Sequence, residues 1–528
     1  MQPECIPFSS IPHQTRLFTD FLHHFDRVQA FYACPPQIAD WFTDERERIN
    51  MPPERRSAVA DALERINRGF GAGPKTFDNL QRLKDGAPVV VTGQQVALFG
   101  GPLFSLLKVL SVAMLAERTN AVPVFWLATE DHDLQEVNFA QFPSGDGLQT
   151  LRTEPPHTEG APVGTIAFSE EIGSLLDEIE KHFGSSEVLD LVRSSYRAGA
   201  NFGDAFGKLF SSLFAQFGLV LLNPADAELH RIARPVYRDA FVHWKEINDA
   251  LRQRDQELES AGYHAQVKVT HSHTLCFYLH KGARIPIRHD GQDFVAGELR
   301  FSHEQLVAEA ENHPERFSAN VLLRPIVQDY LLPTLCYAGG PAEIAYFAQV
   351  AAVYKKLLGR VTPVVPRIFA TLVEARQAKL LDRYQLTLLD VFRGPEKLHE
   401  LVAAKALPES MMRSFDLAVD HLEQALAAIA GPLQKLDASL ADAAENAGSK
   451  MRYQLQSLRD KAARAESRKN TETQRHADEL STLLYPNKNL QEREITGIYF
   501  LLKHGTGLLQ RLREKLKPGC PDHQVVLL

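Results

Sequence analysis

Two apolar runs, separated by a helical segment and each closed by a glycine-rich or polar loop, limit what this chain can fold into. Residues 87–92 form a β-branched run that stops at Gly93, and residues 122–128 form a second apolar run that stops at Thr129. Between them, residues 102–118 place Leu103, Leu106, Leu107 and Leu110 at helical spacing. A short continuous apolar run bounded by turn residues reads as a strand buried on both faces. Strand, loop, helix and strand in this compass form a βαβ unit, which implies a parallel sheet and a right-handed crossover.

Later segments extend the same layer. Residues 217–224, 320–325 and 362–367 each read as a further strand. The stretch 143–200, less apolar and carrying Pro155-Pro156, and the stretch 262–302, alternating around Cys276 to Leu279, read as insertions between core strands. The expected fold is therefore α/β: a Rossmann-like, doubly wound parallel-sheet core over residues 87–374 with two inserted lobes. Residues 1–86 read as a helical segment packing on that core. Residues 375–528 read as an α-helical coiled-coil domain whose C-terminal tail returns to the core.

The coiled-coil reading rests on spacing. Leu422, Leu426, Ile429, Leu433, Leu436 and Leu440 follow a 4-3-4-3-4 pattern, and Leu455, Leu458, Ala462 and Ala465 continue it as 3-4-3. Such a seam asks for a partner helix. Gly431-Pro432 is expected to kink or end the first helix, and Asp437 and Ser439 to start a second, giving an antiparallel hairpin, a dimer arm, or both.

Charge and cysteine usage exclude several classes. Lys and Arg number 58 against 66 Asp and Glu, a net charge of −8, which argues against broad nucleic-acid binding. No segment approaches 18 consecutive apolar residues, and residues 1–16 lack a basic stretch followed by an apolar one. The expectation is a cytoplasmic protein with no membrane segment. The five cysteines stand at long, unrelated spacings, so neither a disulfide framework nor a zinc site is expected.

Three loops carry the candidate chemistry. Thr92, Gly93, Gln94 and Gln95, followed by Gly100, Gly101 and Pro102, join the first strand to its helix, where glycine and helix N-termini suit phosphates or carboxylates; Lys108 lies two turns on. This is neither a dinucleotide fingerprint nor a Walker loop. The second strand ends in Thr129, Glu130, Asp131, His132 and Asp133, with Glu136 and Asn138 just beyond. Carboxylates crowded around one histidine at a strand end suit cation binding, base chemistry or proton sharing. The third group is Arg324, Gln328 and Asp329, followed by Gly339, Gly340, Pro341 and Glu343, a second glycine–proline helix start; Arg367 sits at another strand end. His271 and His273 read as an exposed strand pair.

These segments (92–102, 130–133, 320–329, 339–343 and 484–493) resemble the BshC family, the cysteine-adding enzyme of bacillithiol biosynthesis, over nearly the whole chain. The resemblance implies a Rossmann-like core related to class I synthetase-type nucleotidylyl transferases, two connecting insertions and a coiled coil that supports a homodimer. It implies condensation of L-cysteine with the amine of glucosaminyl malate. Forming that amide needs an activated carboxyl, so ATP with Mg²⁺ is the expected cofactor. In that scheme the Gly93–Gly101 loop holds phosphates or the sugar–malate anion, and His132 with Asp131 or Asp133 takes the amine's proton. Glu130 or Asp133 would hold Mg²⁺. The alternatives are a related enzyme activating another acid, and a non-catalytic nucleotide-binding scaffold.

Overall fold

A computed structural model describes residues 4–145, 147–405, 409–469 and 471–528. They divide into two compact units. The first comprises Met1–Phe142, Gln149–Thr371 and Glu492–Val526; the second comprises Pro143–Leu148, Leu372–Gln491 and Leu527–Leu528.

The first unit is built on five strands: β1 (Val89–Gln94), β2 (Val122–Leu127), β3 (Val220–Leu222), β4 (Thr334–Gly339) and β5 (Val364–Pro366). Their spatial order is β5-β4-β1-β2-β3, and every neighbouring pair is parallel. All of β2 and all but the last residue of β1 are buried, which is why both read as unbroken apolar runs: helices cover both faces of a doubly wound sheet. The connecting helices are α1 (Leu103–Arg118) after β1, α2 (Ala227–Val242) after β3, α3 (Arg324–Leu331) before β4 and α4 (Pro341–Leu357) after β4. From β1 the chain proceeds to β2 on one side, while β4 lies on the other. The loops leaving β1 and β4 therefore diverge, opening a crevice at the carboxyl ends of the strands.

One expected strand is a helix start. Residues 320–325 do not enter the sheet. Asn320 Oδ1 accepts the amides of Leu322 and Leu323, Arg324 N donates to the Asn320 carbonyl, and α3 begins at Arg324 with Pro325 in its first turn. Asparagine turning the chain ahead of a first-turn proline favours a helix over a strand. The strand of this region is β4, further along the chain.

The inserted segments carry their own structure. A hairpin of Phe139–Ser144 and Gly147–Arg152 precedes helices Glu171–Phe183 and Glu187–Ser195. The later insertion is an antiparallel sheet, in the order Leu299–Phe301, Phe294–Ala296, Ala283–His289, His273–His280, Phe317–Ala319. Glu4–Ile6, within a segment expected to be helical, is a strand instead. It pairs antiparallel with His523–Leu527, with Glu4 opposite Val525. Residues 495–497 close the start of α1: Leu103 N donates to the Ile495 carbonyl, while Gly497 N and Thr496 Oγ1 both donate to the Gly101 carbonyl.

In the second unit, α5 (Glu409–Leu436) and α6 (Ser439–Lys469) form a helical hairpin. Pro432 does not break α5. The carbonyl it frees, that of Ala428, lies on an exposed stretch where water can serve it. The turn comes instead at Asp437, whose Oδ1 accepts both the amide and the hydroxyl of Ser439 at 2.8 Å. Ion pairs Arg452–Glu423 and Arg459–Asp416 link the two helices. Leu422, Leu426, Leu433 and Leu455 are half-buried along the seam, whereas Ile429, Leu436 and Leu458 are exposed. Among the described residues, no helix is long and apolar enough to cross a membrane.

Candidate functional site

A cavity of about 1140 Å³ opens in the first unit at the carboxyl ends of β1, β2 and β4, and the inserted antiparallel sheet supplies one wall through Thr274, Phe277, Arg284 and Arg288. Of the residues singled out in the sequence, Gly93, Gln94, Gln95, Lys108, Glu130, Asp131, His132, Arg324, Gly340 and Glu343 line it, as do Glu136, His273 and Arg367. Gly93, next to last in β1, lies where a Cβ would come within 3.1 Å of both Cβ and the carbonyl oxygen of Trp126. A side chain there would press β1 and β2 apart by a few tenths of an ångström where they reach the cavity.

One part of the lining is cationic. Lys108, on α1, is buried and donates to the Gly93 carbonyl (2.6 Å), Gln94 Oε1 (2.9 Å) and Glu343 Oε1 (2.9 Å). Burial pushes its pKa down to about 8, a shift that Glu343 limits. Glu343, in the first turn of α4, also accepts from Tyr337 Oη and from Gly340 N at 2.7 Å. Burial alone would raise its carboxyl, but Lys108, the Gly340 amide and Tyr337 outweigh it and hold the group below the usual range. Arg324 donates to Gln328 Oε1 and Tyr346 Oη, each at 2.9 Å, and lies 5.0 Å from the centre of the Tyr337 ring. Arg367 forms a buried pair with Glu492 (2.6 Å), and Arg493 stands exposed at the cavity wall. Four cations thus face two carboxylates.

The other part is the loop after β2. Glu130 is buried against His230 of α2, Oε1 to Nε2 3.0 Å, and His230 Nδ1 lies 3.1 Å from the Pro314 carbonyl. Burial lowers the His230 pKa, but the bond to Glu130 and its charge overcome this and raise it. Asp131 Oδ2 accepts from Gln95 Nε2 (2.7 Å), which also donates to Glu136 Oε2 (2.8 Å). Asp131 Oδ1 accepts the amide of His132 at 2.7 Å. The loop is pinned from below by Val163 N on the Asp131 carbonyl and Gly164 N on the Thr129 carbonyl. Arg284 reaches His132 Nδ1 at 3.1 Å. Its guanidinium stacks 3.8 Å from the centre of Phe277, and burial lowers its pKa.

The remaining candidates lie elsewhere. Thr92 Oγ1 ties β1 to β4 through the Ala338 carbonyl. Gly100 and Gly101 have φ of +83° and +74° and shape the turn before α1, whose first amide is taken by Ile495 and so is not open to an anion. Asp133 is exposed and outside the cavity lining. Asn138 is buried between Arg152 and Glu154. Gln328 and Asp329 stand behind Arg324: Gln328 Nε2 donates to Asp329, which also accepts from Tyr354. Gly339 sits behind Glu343, with space for a Cβ only 3.0 Å from the Glu343 Cβ. Sequence reasoning missed Arg284, Arg288, His230 and Arg493. Arg493 alone carried a signal, lying in one of the segments that marked the family resemblance.

Fold and site together define a Rossmann-like α/β protein with a charged cavity at the point where its strand order reverses, joined to a helical hairpin domain. Residues 1–368 match the family described as bacillithiol biosynthesis BshC, N-terminal Rossmann-like domain, and residues 370–528 match its C-terminal coiled-coil domain. The chain belongs to the BshC family. A protein of Koribacter versatilis (strain Ellin345) named "Putative cysteine ligase BshC" is 45% identical over 532 residues, covering 100% of both chains. Relatives of the same name are 36% identical in Solibacter usitatus (strain Ellin6076), covering 100% of both chains. In Salinibacter ruber (strain DSM 13855 / M31) the figure is 34%, covering 97% of this chain and 96% of the relative.

Proposed function

We propose that the cavity is the centre of a ligase that joins the carboxyl of L-cysteine to the amine of glucosaminyl malate. The observation that carries this reading is the sorting of charge along one crevice. Arg324 and Arg493, backed by the buried charges of Arg367 and Lys108, suit the carboxylates of a malyl group, while the loop of Asp131 and His132 supplies proton-handling and hydrogen-bonding groups beside them. The names of the family and of its relatives support the amide-forming chemistry.

A free carboxylate does not acylate an amine, so an activating nucleotide is assigned as well, ATP with Mg²⁺. Among the described residues no group of three or more His, Cys, Asp or Glu is placed to hold a metal. Glu130 is taken up by His230 and Asp133 lies outside the lining, leaving Asp131 and Glu136 as acidic residues of that loop on the cavity. Mg²⁺ is therefore assigned to the nucleotide phosphates with at most one or two protein carboxylates, its usual mode. The exposed Leu417, Ile429, Leu436, Tyr453 and Leu458 of α5 and α6 support pairing of the coiled coil with a second copy.

The test is mass-spectrometric product analysis of the purified protein with L-cysteine, glucosaminyl malate, ATP and Mg²⁺, omitting each in turn. The expected result is cysteinyl amide only in the complete mixture, with AMP or ADP distinguishing an adenylate from an acyl phosphate. Amide formation without nucleotide would overturn the activation step, and no amide under any combination would overturn the ligase reading.

A further inference from the structure

We propose that Arg284 fixes the tautomer of His132, so that this histidine meets a ligand as an Nε2–H donor and not as a base. The contact itself requires it. A guanidinium has five N–H donors and no acceptor, and Arg284 Nη1 lies 3.1 Å from His132 Nδ1. A proton on Nδ1 would set two donors against each other at that distance, so Nδ1 presents its lone pair. The rival partner for an Nδ1–H is Asp131 Oδ1, which at 3.8 Å is beyond hydrogen-bond reach. That oxygen is already occupied by the His132 amide.

Arg284 cannot readily turn away. Its Nε donates to Ser318 Oγ at 3.0 Å and its Nη2 to the Ala319 carbonyl at 2.8 Å, and its plane stacks on Phe277. Two partners and the ring belong to the inserted sheet, so an element outside the Rossmann-like core dictates the protonation pattern of a core loop. The ring then presents a lone pair at Nδ1 and its N–H at Nε2. That suits an anionic oxygen, whether phosphate or carboxylate, and removes His132 from the task of taking the amine's proton. Arg284 is a positioning residue. The consequence for catalysis rests on the ligase reading above, whereas the tautomer does not.

Long-range ¹H–¹⁵N correlation spectra of ¹⁵N-histidine-labelled protein read the tautomer without any substrate, and the His132→Gln variant identifies the His132 signals. The expected pattern at pH 7 is an unprotonated Nδ1 and a protonated Nε2. A protonated Nδ1, alone or on an imidazolium, would overturn the proposal. Arg284→Met should convert that pattern to a tautomer mixture, while Arg284→Lys, which keeps a donor, should restore it; an unchanged spectrum in Arg284→Met would also overturn it. If Arg284→Met does not fold, the spectrum of the unaltered protein still decides. In the amide-forming assay Arg284→Met should lower kcat about a hundredfold, the cost of losing one aligned donor to a developing anion, with little change in KM. A correct tautomer without amide formation would fault the ligase reading alone.

Discussion

Replacing Glu492 by alanine should unfold the first unit far more readily than any surface change. The Arg367 and Glu492 side chains are 2% and 1% exposed, and they are joined by bonds of 2.6 and 3.2 Å. Glu492 also accepts the amide of Ala370 at 2.9 Å. Removing one partner of a buried pair costs about 3–5 kcal/mol, and the orphaned Ala370 amide places this case toward the upper end. All three tryptophans, Trp41, Trp126 and Trp244, lie in the first unit, so fluorescence in urea follows that unit alone. At a slope of about 3 kcal/mol/M, a loss of about 4 kcal/mol moves the midpoint by roughly 1.3 M. The double variant Arg367→Met/Glu492→Leu should regain at least half of this, because apolar replacement of a whole buried pair is often neutral. Burial pushes the Glu492 carboxyl up, but Arg367 outweighs it and holds it below its ordinary value. Its contribution is therefore complete above a pH of about 4.3 and lost as pH falls through the lower folded value. Glu492→Gln should show a flatter acid limb. A midpoint shift under roughly 0.3 M for Glu492→Ala, or a double variant as unstable as the two singles summed, would refute the reasoning.

Three further outcomes are expected. Gly164→Ala should destabilise by about 1–3 kcal/mol and raise KM, because its Cβ would lie 2.8 Å from the Thr129 carbonyl oxygen and must displace the loop that carries Asp131 and His132; a melting curve and initial rates check this. Lys108 gives up its proton near pH 8 in the fold but only near 10.4 when unfolded, so the unfolded chain binds more protons between those values and stability rises with pH there. Relative to Lys108→Met, the unaltered protein should gain on the order of 2 kcal/mol from pH 8 to 10, read from urea midpoints. Leu458→Glu, on an exposed site of α6, should shift sedimentation from dimer to monomer while leaving the fluorescence midpoint of the first unit in place.

The sheet was legible because its strands are buried on both faces, so an unbroken apolar run marks each one regardless of neighbours. The helix start at residues 320–325 was misread for the same reason: Val321, Leu322 and Leu323 look like a buried strand, and only the Asn320 side chain turning back on the amides decides otherwise. Gln95, Asp131 and His132 were legible as loop residues at the carboxyl ends of strands, and Lys108 and Glu343 as residues of the helices that follow such loops. Arg284 and His230 were not. Each reaches the site by a tertiary route, one from a strand of the inserted sheet and one from the far side of Glu130, and no spacing in the chain records either approach. Gly100 and Gly101 look like a phosphate turn, but the carbonyl of Ile495, nearly 400 residues later, already takes the first amide of the helix that follows.

That last contact sets a schedule for biosynthesis. The Gly101 carbonyl and its Thr496 donor are 395 residues apart. At 5–20 residues per second, a ribosome needs about 20–80 s to supply the second after the first. Throughout that interval the start of α1 lacks its closing segment and Arg367, once made, awaits Glu492. The crevice is therefore completed among the last events of synthesis. A chain released before residue 492 would hold every loop residue from Gly93 to Glu343 and still lack the carboxylate that pairs Arg367 and the backbone that closes the start of α1.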